Sequence, residues 1–243
     1  MCGTCGCAGE PATGESSTGD SRTIVLQQKV LGKNDNIAEE NREWLAGRGV
    51  VMVNLMSSPG AGKTALLERS AGVLTPLLKL CVIEGDQETA LDADRVRAAG
   101  CDVVQVNTGV GCHLDADMVR AALAELDPPA GSLVVIENVG NLVCPALFDL
   151  GEASKIVLAS VTEGGDKPLK YPHMFRQADV VLVTKIDLLP YVDFDLDRYA
   201  SDVRRVSANA RLMALSAVTG EGIDHWCDWL SALVRQQQPL GAG

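Results

Sequence analysis

Seven short apolar runs, rich in β-branched residues, punctuate the chain from Gly49 onward. They are VVMVNL at 50–55, LCVIEG at 80–85, VVQVN at 103–107, LVVIEN at 133–138, KIVLASV at 155–161, VVLVTK at 180–185 and LMALSA at 212–217. Each is almost continuously apolar rather than alternating, the pattern of a strand covered on both faces. Between most of them apolar positions recur at helical spacing, as over 65–78, 92–99, 118–126 and 195–206. This alternation predicts an α/β fold, one domain whose mostly parallel sheet carries helices on both faces. Ahead of it, a short helical segment has Asn34 or Asp35 as caps and Ile37, Asn41 and Trp44 along one face, placed to lie against the main domain. Residues 8–23 are Gly, Ser, Thr, Pro and acids with no apolar period, and predict a flexible linker. The expected organisation is a tail and linker at 1–23, a helical extension at 24–48, the main domain at 49–236 and a disordered end at 237–243.

Length and composition narrow the class. A chain of 243 residues with 47% hydrophobic and 22% charged positions is an ordinary globular protein of one domain plus extensions. Lys and Arg number 21 against 32 Asp and Glu, a net charge of −11. Such a surface repels phosphate backbones and anionic lipid, which argues against nucleic-acid and membrane partners. No apolar run approaches the ~20 residues of a membrane span, and no signal-peptide pattern opens the chain. A cytoplasmic protein is expected, in which clustered thiols point to metal or redox chemistry rather than disulfides.

The first predicted strand runs into Ser57-Ser58-Pro59-Gly60-Ala61-Gly62-Lys63-Thr64, after which a helix begins. This is the phosphate-binding loop G-x-x-x-x-G-K-[ST] with serine at the first glycine position. Gly60 and Gly62 let backbone N–H groups turn toward phosphates, and the helix N-terminus adds positive potential. Ser58 to Ala65 would cradle the nucleotide, with Lys63 reaching the β- and γ-phosphates and the Thr64 hydroxyl holding Mg²⁺. A glycine-rich turn with no ligand is the bland alternative, and the Lys-Thr pair between strand and helix argues against it.

Hydrolysis needs carboxylates near the magnesium and the attacking water. Asp86 follows the second strand, and Glu137 ends the fourth in Glu137-Asn138-Val139-Gly140, an E-x-x-G variant of the D-x-x-G segment that senses the γ-phosphate in GTPases. Strand-end carboxylates are commonplace, so these gain weight only beside the loop. Asp92 and Asp94 are further candidates that the sequence does not rank against Asp86. Thr184-Lys185-Ile186-Asp187 stands where GTPases carry N-K-x-D. A carboxylate at Asp187 accepts from both N1–H and the 2-amino group of guanine, donors adenine lacks. The Lys185 stem would flank the base, and Ser216-Ala217 fits the companion segment whose N–H groups meet guanine O6.

Three of the eight cysteines, Cys2, Cys5 and Cys7, fall in the first seven residues. Three thiolates and a free α-amine can surround one ion in a plane, which suits Ni²⁺, whereas a tetrahedral set suits Zn²⁺. Cys112-His113 follows the third strand and Cys144 comes seven residues after Glu137, so a second site is predicted on the nucleotide side, short of one ligand. Cys81 and Cys101 read as small core residues. His225 and Cys227 read as packing on the last helix, and His173 fits either role.

Together these segments resemble the hydrogenase nickel-incorporation GTPase family, HypB, over nearly all of residues 24–235. SSPGAGKT at 57–64, EGDQ at 84–87, NTGVGCHLDADMV at 107–119, IENVGNLVCPALFDLGE at 136–152, VTEGGDKPLKYPHMF at 161–175, TKIDLLPY at 184–191 and CGTCGC at 2–7 carry the likeness. The resemblance implies a dimeric GTPase of the SIMIBI branch of P-loop proteins that helps load nickel into [NiFe]-hydrogenase, working with an accessory maturation protein and the hydrogenase large subunit; hydrolysis is expected to be slow, as in GTPases without a supplied arginine. It implies a tight nickel site at Cys2, Cys5 and Cys7. A weaker nickel or zinc site is implied at Cys112, His113 and Cys144 at the dimer contact. It also implies that Lys167 or Lys170 reaches toward the neighbouring subunit's nucleotide. With three histidines and no His-rich tract, nickel storage is not expected. The rival readings are a P-loop GTPase for another nickel enzyme such as urease, and a metal buffer with a vestigial loop.

Overall fold

The computed structural model describes residues 17–86, 91–109 and 111–237. All seven apolar runs are strands: β1 (Val51–Ser57), β2 (Leu80–Asp86), β3 (Asp102–Asn107), β4 (Leu133–Glu137), β5 (Ser154–Ser160), β6 (Val180–Thr184) and β7 (Arg211–Ala214). They join in the order β3-β2-β4-β1-β5-β6-β7, every neighbouring pair parallel. The helices are α1 (Ser17–Gly47), α2 (Lys63–Leu74), α3 (Leu91–Ala98), α4 (Ala116–Leu126), α5 (Lys167–Lys170), α6 (Pro172–Arg176), α7 (Leu196–Val206) and α8 (Ile223–Gln237).

Strand residues two apart share a face, so β1 splits its side chains between two cores. Val51, Val53 and Leu55 pack with Leu66, Leu67 and Leu74 of α2 and Trp226 and Leu230 of α8. Met52, with Ile83, Val134 and Ile136, faces Val119 and Leu123 of α4 and Leu45 of α1. Farther along that second face, Met56, Val157 and Val181 lie under Phe175 of α6 and Tyr199 and Val203 of α7. Burial on both faces is why the strands read as unbroken apolar runs. The order of connection switches at β1, with β2, β3 and β4 added on one side and β5, β6 and β7 on the other, and such a switch point opens a ligand crevice at the strand carboxyl ends.

The N-terminal helix departs from expectation. Residues 17–23, assigned to the linker, are helical, and Asn34 and Asp35 lie inside α1 rather than capping it. Its buried stripe is Asn34, Ala38, Asn41 and Leu45, while Trp44 is 37% exposed. The stripe is displaced because Asn34 and Asn41 are buried on hydrogen-bond partners from distant loops, which an apolar periodicity does not register. Cys81, Cys101 and Cys227 are core residues as read, but His225 is exposed rather than packed.

Candidate functional site

β1 delivers the loop and α2 receives it. Gly60 and Gly62 hold φ of +76° and +97°, left-handed values that side chains resist, and Lys63 opens the helix. The Lys63 ammonium donates to Ser57 Oγ at 2.9 Å, which gives the serine at the first glycine position a task the motif alone did not reveal. Burial pulls the Lys63 pKa down, opposed by Glu137, Asp92, Glu163 and Glu84. Thr64 Oγ1 donates to Glu137 Oε1 at 2.7 Å. Glu137 is 5% exposed, its Oε2 has no hydrogen-bond partner, and burial pushes its pKa up against the pull of Thr64 and Lys63. An orphaned buried carboxylate oxygen beside a threonine hydroxyl is the donor set a hard cation needs.

These groups line a cleft of about 490 Å³, which Asp92 and Arg95 also border. Arg95 is tied to Glu68 at 2.6 Å and to Asp92 at 3.1 Å. Asp94 pairs with Arg97 at 2.8 Å and is not part of the lining. Asp86 closes β2, but its side chain lies outside the described residues. The segment after β4 touches the loop directly: a Cβ on Gly140 would sit 2.9 Å from Pro59 Cα.

On the other flank the segment from Thr184 to Asp187 meets the loop and the segment at Ser216. Thr184 Oγ1 donates to Ala61 O at 2.7 Å and Lys185 Nζ to Gly60 O at 2.8 Å. Threonine in place of the usual asparagine thus still anchors the loop. Lys185 adopts φ +60°, and Asp187 Oδ1 accepts from the buried Ser216 hydroxyl at 2.5 Å. Ser216 Oγ accepts in turn from the N–H groups of Val218 and Thr219, which fixes the turn containing Ala217. Ser58, expected only to cradle phosphate, donates to Glu163 Oε2, and Lys167 lies 3.7 Å from the same oxygen.

Cys112, His113 and Cys144 come together as predicted, their ligand atoms all within 4.8 Å of one another. The two sulfurs are 3.0 Å apart, beyond the ~2.05 Å of a disulfide, and both thiols are free. His113 Nδ1 is 3.7 Å from Cys112 Sγ, and its ring stacks on Phe148 at 4.0 Å. Burial lowers the His113 pKa, favouring the neutral imidazole that binds metal. The hydrogen bond shared with Cys112, with burial, raises that of the Cys144 thiol, so a metal must displace protons to enter. His173 and His225 lie outside this set, the one such cluster among the described residues. Cys2, Cys5 and Cys7 lie outside the described residues.

Sequence reasoning missed the asparagines that hold this site. Asn141 Nδ2 donates to Cys112 O at 3.4 Å, and its Oδ1 accepts from the N–H groups of Val143 and Cys144. Asn138, next to Glu137, accepts from Leu114 N at 3.4 Å and donates to Asn54, which donates to the buried Glu152. Only their placement in a segment with Glu137 and Cys144 at its ends hinted at such a role.

Fold and loop together define a nucleotide-binding P-loop protein. Residues 51–214 match the CobW/HypB/UreG nucleotide-binding domain. The chain is 53% identical over 210 residues to the hydrogenase maturation factor HypB of Azotobacter vinelandii, covering 86% of this chain and 69% of that protein. Its structure is similar to that of HypB from Archaeoglobus fulgidus, with a TM-score of 0.79 and 38% identity over 84% of this chain and all of that one. A Helicobacter pylori HypB solved in complex with nickel gives the same score and identity, over 87% of this chain and all of its own. The chain belongs to the HypB family of hydrogenase maturation factors. Among the described residues no helix is long and apolar enough to cross a membrane.

Proposed function

We propose that this protein is a cytoplasmic, GTP-hydrolysing nickel metallochaperone that helps insert nickel into [NiFe]-hydrogenase, with metal affinity set by the bound nucleotide. The observation that carries the reading is the segment from Glu137 to Cys144, which touches Thr64 at one end and supplies a metal ligand at the other. In this reading Lys63 and the loop N–H groups hold the β- and γ-phosphates, and Asp187 accepts from guanine. Thr64, Glu137 and Asp86 would hold Mg²⁺, whose charge offsets that of the phosphates. Glu137 also orders the attacking water. Turnover is slow, because the arginine at the cleft is held by Glu68 and Asp92 rather than offered to the γ-phosphate.

Nickel is cargo in this account. Cys2, Cys5 and Cys7 hold it tightly, and Cys112, His113 and Cys144 hold Ni²⁺ or Zn²⁺ more weakly, with water or a second copy completing the shell. A GTP-linked homodimer, in which Lys167 or Lys170 reaches the partner's nucleotide, passes nickel on with an accessory maturation protein and the hydrogenase large subunit. An anaerobic Ni²⁺ titration of the full chain and of one beginning at Ala8, followed by thiolate-to-metal absorption, tests the reading. Two binding steps with the tighter one lost on truncation support it; a titration unchanged by truncation removes the tail from the metal chemistry.

A further inference from the structure

The metal ligands sit on two loops, one after β3 and one after β4, and neither loop is long enough to bury a core of its own. Besides Asn138, Asn141 and the core leucines, α1 also holds them. Ala116, three residues after His113, is gripped at both backbone groups: its N–H donates to Asn34 Oδ1 at 2.9 Å and its carbonyl accepts from Asn41 Nδ2 at 2.9 Å. The same two side chains reach the second loop, where Asn34 Nδ2 donates to Asp149 O at 2.8 Å and Asn41 Nδ2 to Leu150 O at 3.1 Å. Each asparagine therefore bridges the first residue of α4, where the His113 loop ends, and the second ligand-bearing loop. Arg42 Nη2 donates to both oxygens of the Asp149 carboxylate, at 2.9 and 2.8 Å. Asp149 directly follows Phe148, the ring on which His113 stacks.

Simple packing of α1 does not account for this arrangement. Buried asparagines cost desolvation that apolar side chains avoid, and they are tolerated where their hydrogen bonds fix a geometry. Asn34 and Asn41 are 6% and 2% exposed. The approach is also too close for any other backbone: a Cβ on Gly151 would lie 2.6 Å from Ala38 O.

We propose that α1 sets the spacing of the inner metal ligands, with Asn34 and Asn41 acting as positioning residues that hold the His113 loop in register with the Phe148 segment. The inference rests on Cys112, His113 and Cys144 being metal ligands, and its test keeps the two apart. The full chain carrying Cys2→Ser, Cys5→Ser and Cys7→Ser leaves the inner site alone. In that background Asn34→Ala with Asn41→Ala is compared with the parent, with Asn34→Asp, and with Leu74→Ala, a destabilised control in the core on the opposite face of the sheet. Two quantities are read: Ni²⁺ affinity, and the rate at which dibromobimane, a short bifunctional thiol reagent, cross-links Cys112 to Cys144. The buried thiols of Cys81, Cys101 and Cys227, pushed up to about 11, react slowly by comparison.

The double asparagine variant is expected to weaken Ni²⁺ by about 10- to 100-fold, the scale of an outer-shell substitution, and to slow cross-linking severalfold. GTP-analogue affinity should stay within about twofold, since neither residue lines the nucleotide cleft. Asn34→Asp, which keeps the acceptor for Ala116 N–H but loses the donor to Asp149, should fall between. Parent-like affinity and cross-linking in the double variant overturn the proposal, as does an equal loss in Leu74→Ala. If the parent itself binds no Ni²⁺, the metal reading fails, and the cross-linking rates alone decide whether α1 spaces the two thiols.

Discussion

The Lys63 ammonium faces four carboxylates, those of Glu137, Asp92, Glu163 and Glu84, and donates to Ser57. A triphosphate entering this cleft meets negative charge as well as the lysine, so binding depends on a cation that neutralises Glu137 and the phosphates together. Lys63→Ala should weaken a GTP analogue by at least about 100-fold, since truncation leaves the carboxylates without their counter-charge. Equilibrium dialysis with labelled nucleotide reads the loss. Asp187 allows a sharper test, because in the proposed reading its carboxylate accepts from two guanine donors. Asp187→Asn should cost roughly 10- to 100-fold in GTP affinity and move preference toward xanthine nucleotides, whose 2-oxo group accepts from the new amide. Unchanged GTP affinity would show that base choice lies elsewhere. At this scale the sequence was readable where a local pattern dictates local structure, as in the glycine-bearing loop that leads from β1 to Lys63 at the start of α2. It was not readable where the task depends on a distant partner. Ser58 bonds Glu163 across 105 positions, and no local pattern announces that.

Elements show the same divide. The strands were legible because burial on both faces demands continuous apolar runs, and the Cys-His pair was legible because it sits in a turn-rich loop at a strand end. The buried face of α1 was not, since two of the four buried positions among its described residues are asparagines bonded to backbone groups 75 to 115 residues away. Gly151 is where this helix meets the second loop, at φ +89° and with Ala38 O in the place of a Cβ. Gly151→Ala should cost at least about 2 kcal/mol, a fall of roughly 4–8 °C in Tm for a domain of this size. A thermal melt checks it. The neighbouring Arg42–Asp149 pair adds a pH signature. Burial pushes the Asp149 pKa up, but the Gly151 N–H and the Arg42 guanidinium outweigh it and hold the carboxyl below its ordinary value. A depressed pKa means stability that is fully present above the unfolded value of about 3.9 and lost as pH falls through the folded one. Unfolding free energies from urea melts should therefore be higher for the parent than for Asp149→Asn near neutrality, by about 0.5 kcal/mol for a pair this exposed. The gap should close below about pH 3.9; a gap constant with pH would dismiss the ion pair as its source.

In the whole molecule, a parallel sheet brings the P-loop cleft and the Cys112–His113–Cys144 cluster to the carboxyl ends of its strands, and the segment after β4 joins them. Glu137 meets Thr64, Asn138 holds Leu114, Gly140 lies on Pro59, and Asn141 ties Cys112 to Cys144. A shift of this segment on γ-phosphate binding would move Cys144 relative to Cys112 and His113, and the proposed reading makes that shift the route by which the nucleotide state alters metal affinity. Proximity alone does not establish such coupling, and a difference in binding free energy does. The direct measurement is Ni²⁺ affinity of the inner site, in the chain with Cys2, Cys5 and Cys7 replaced by serine, with Mg²⁺ and either GDP or a non-hydrolysable GTP analogue. The account predicts affinities that differ by about fivefold or more, a coupling of at least ~1 kcal/mol, and a matching effect of Ni²⁺ on the choice between the two nucleotides. Equal affinities in the two nucleotide states would contradict it, leaving a GTPase and a metal site that share an edge of the sheet without acting on each other.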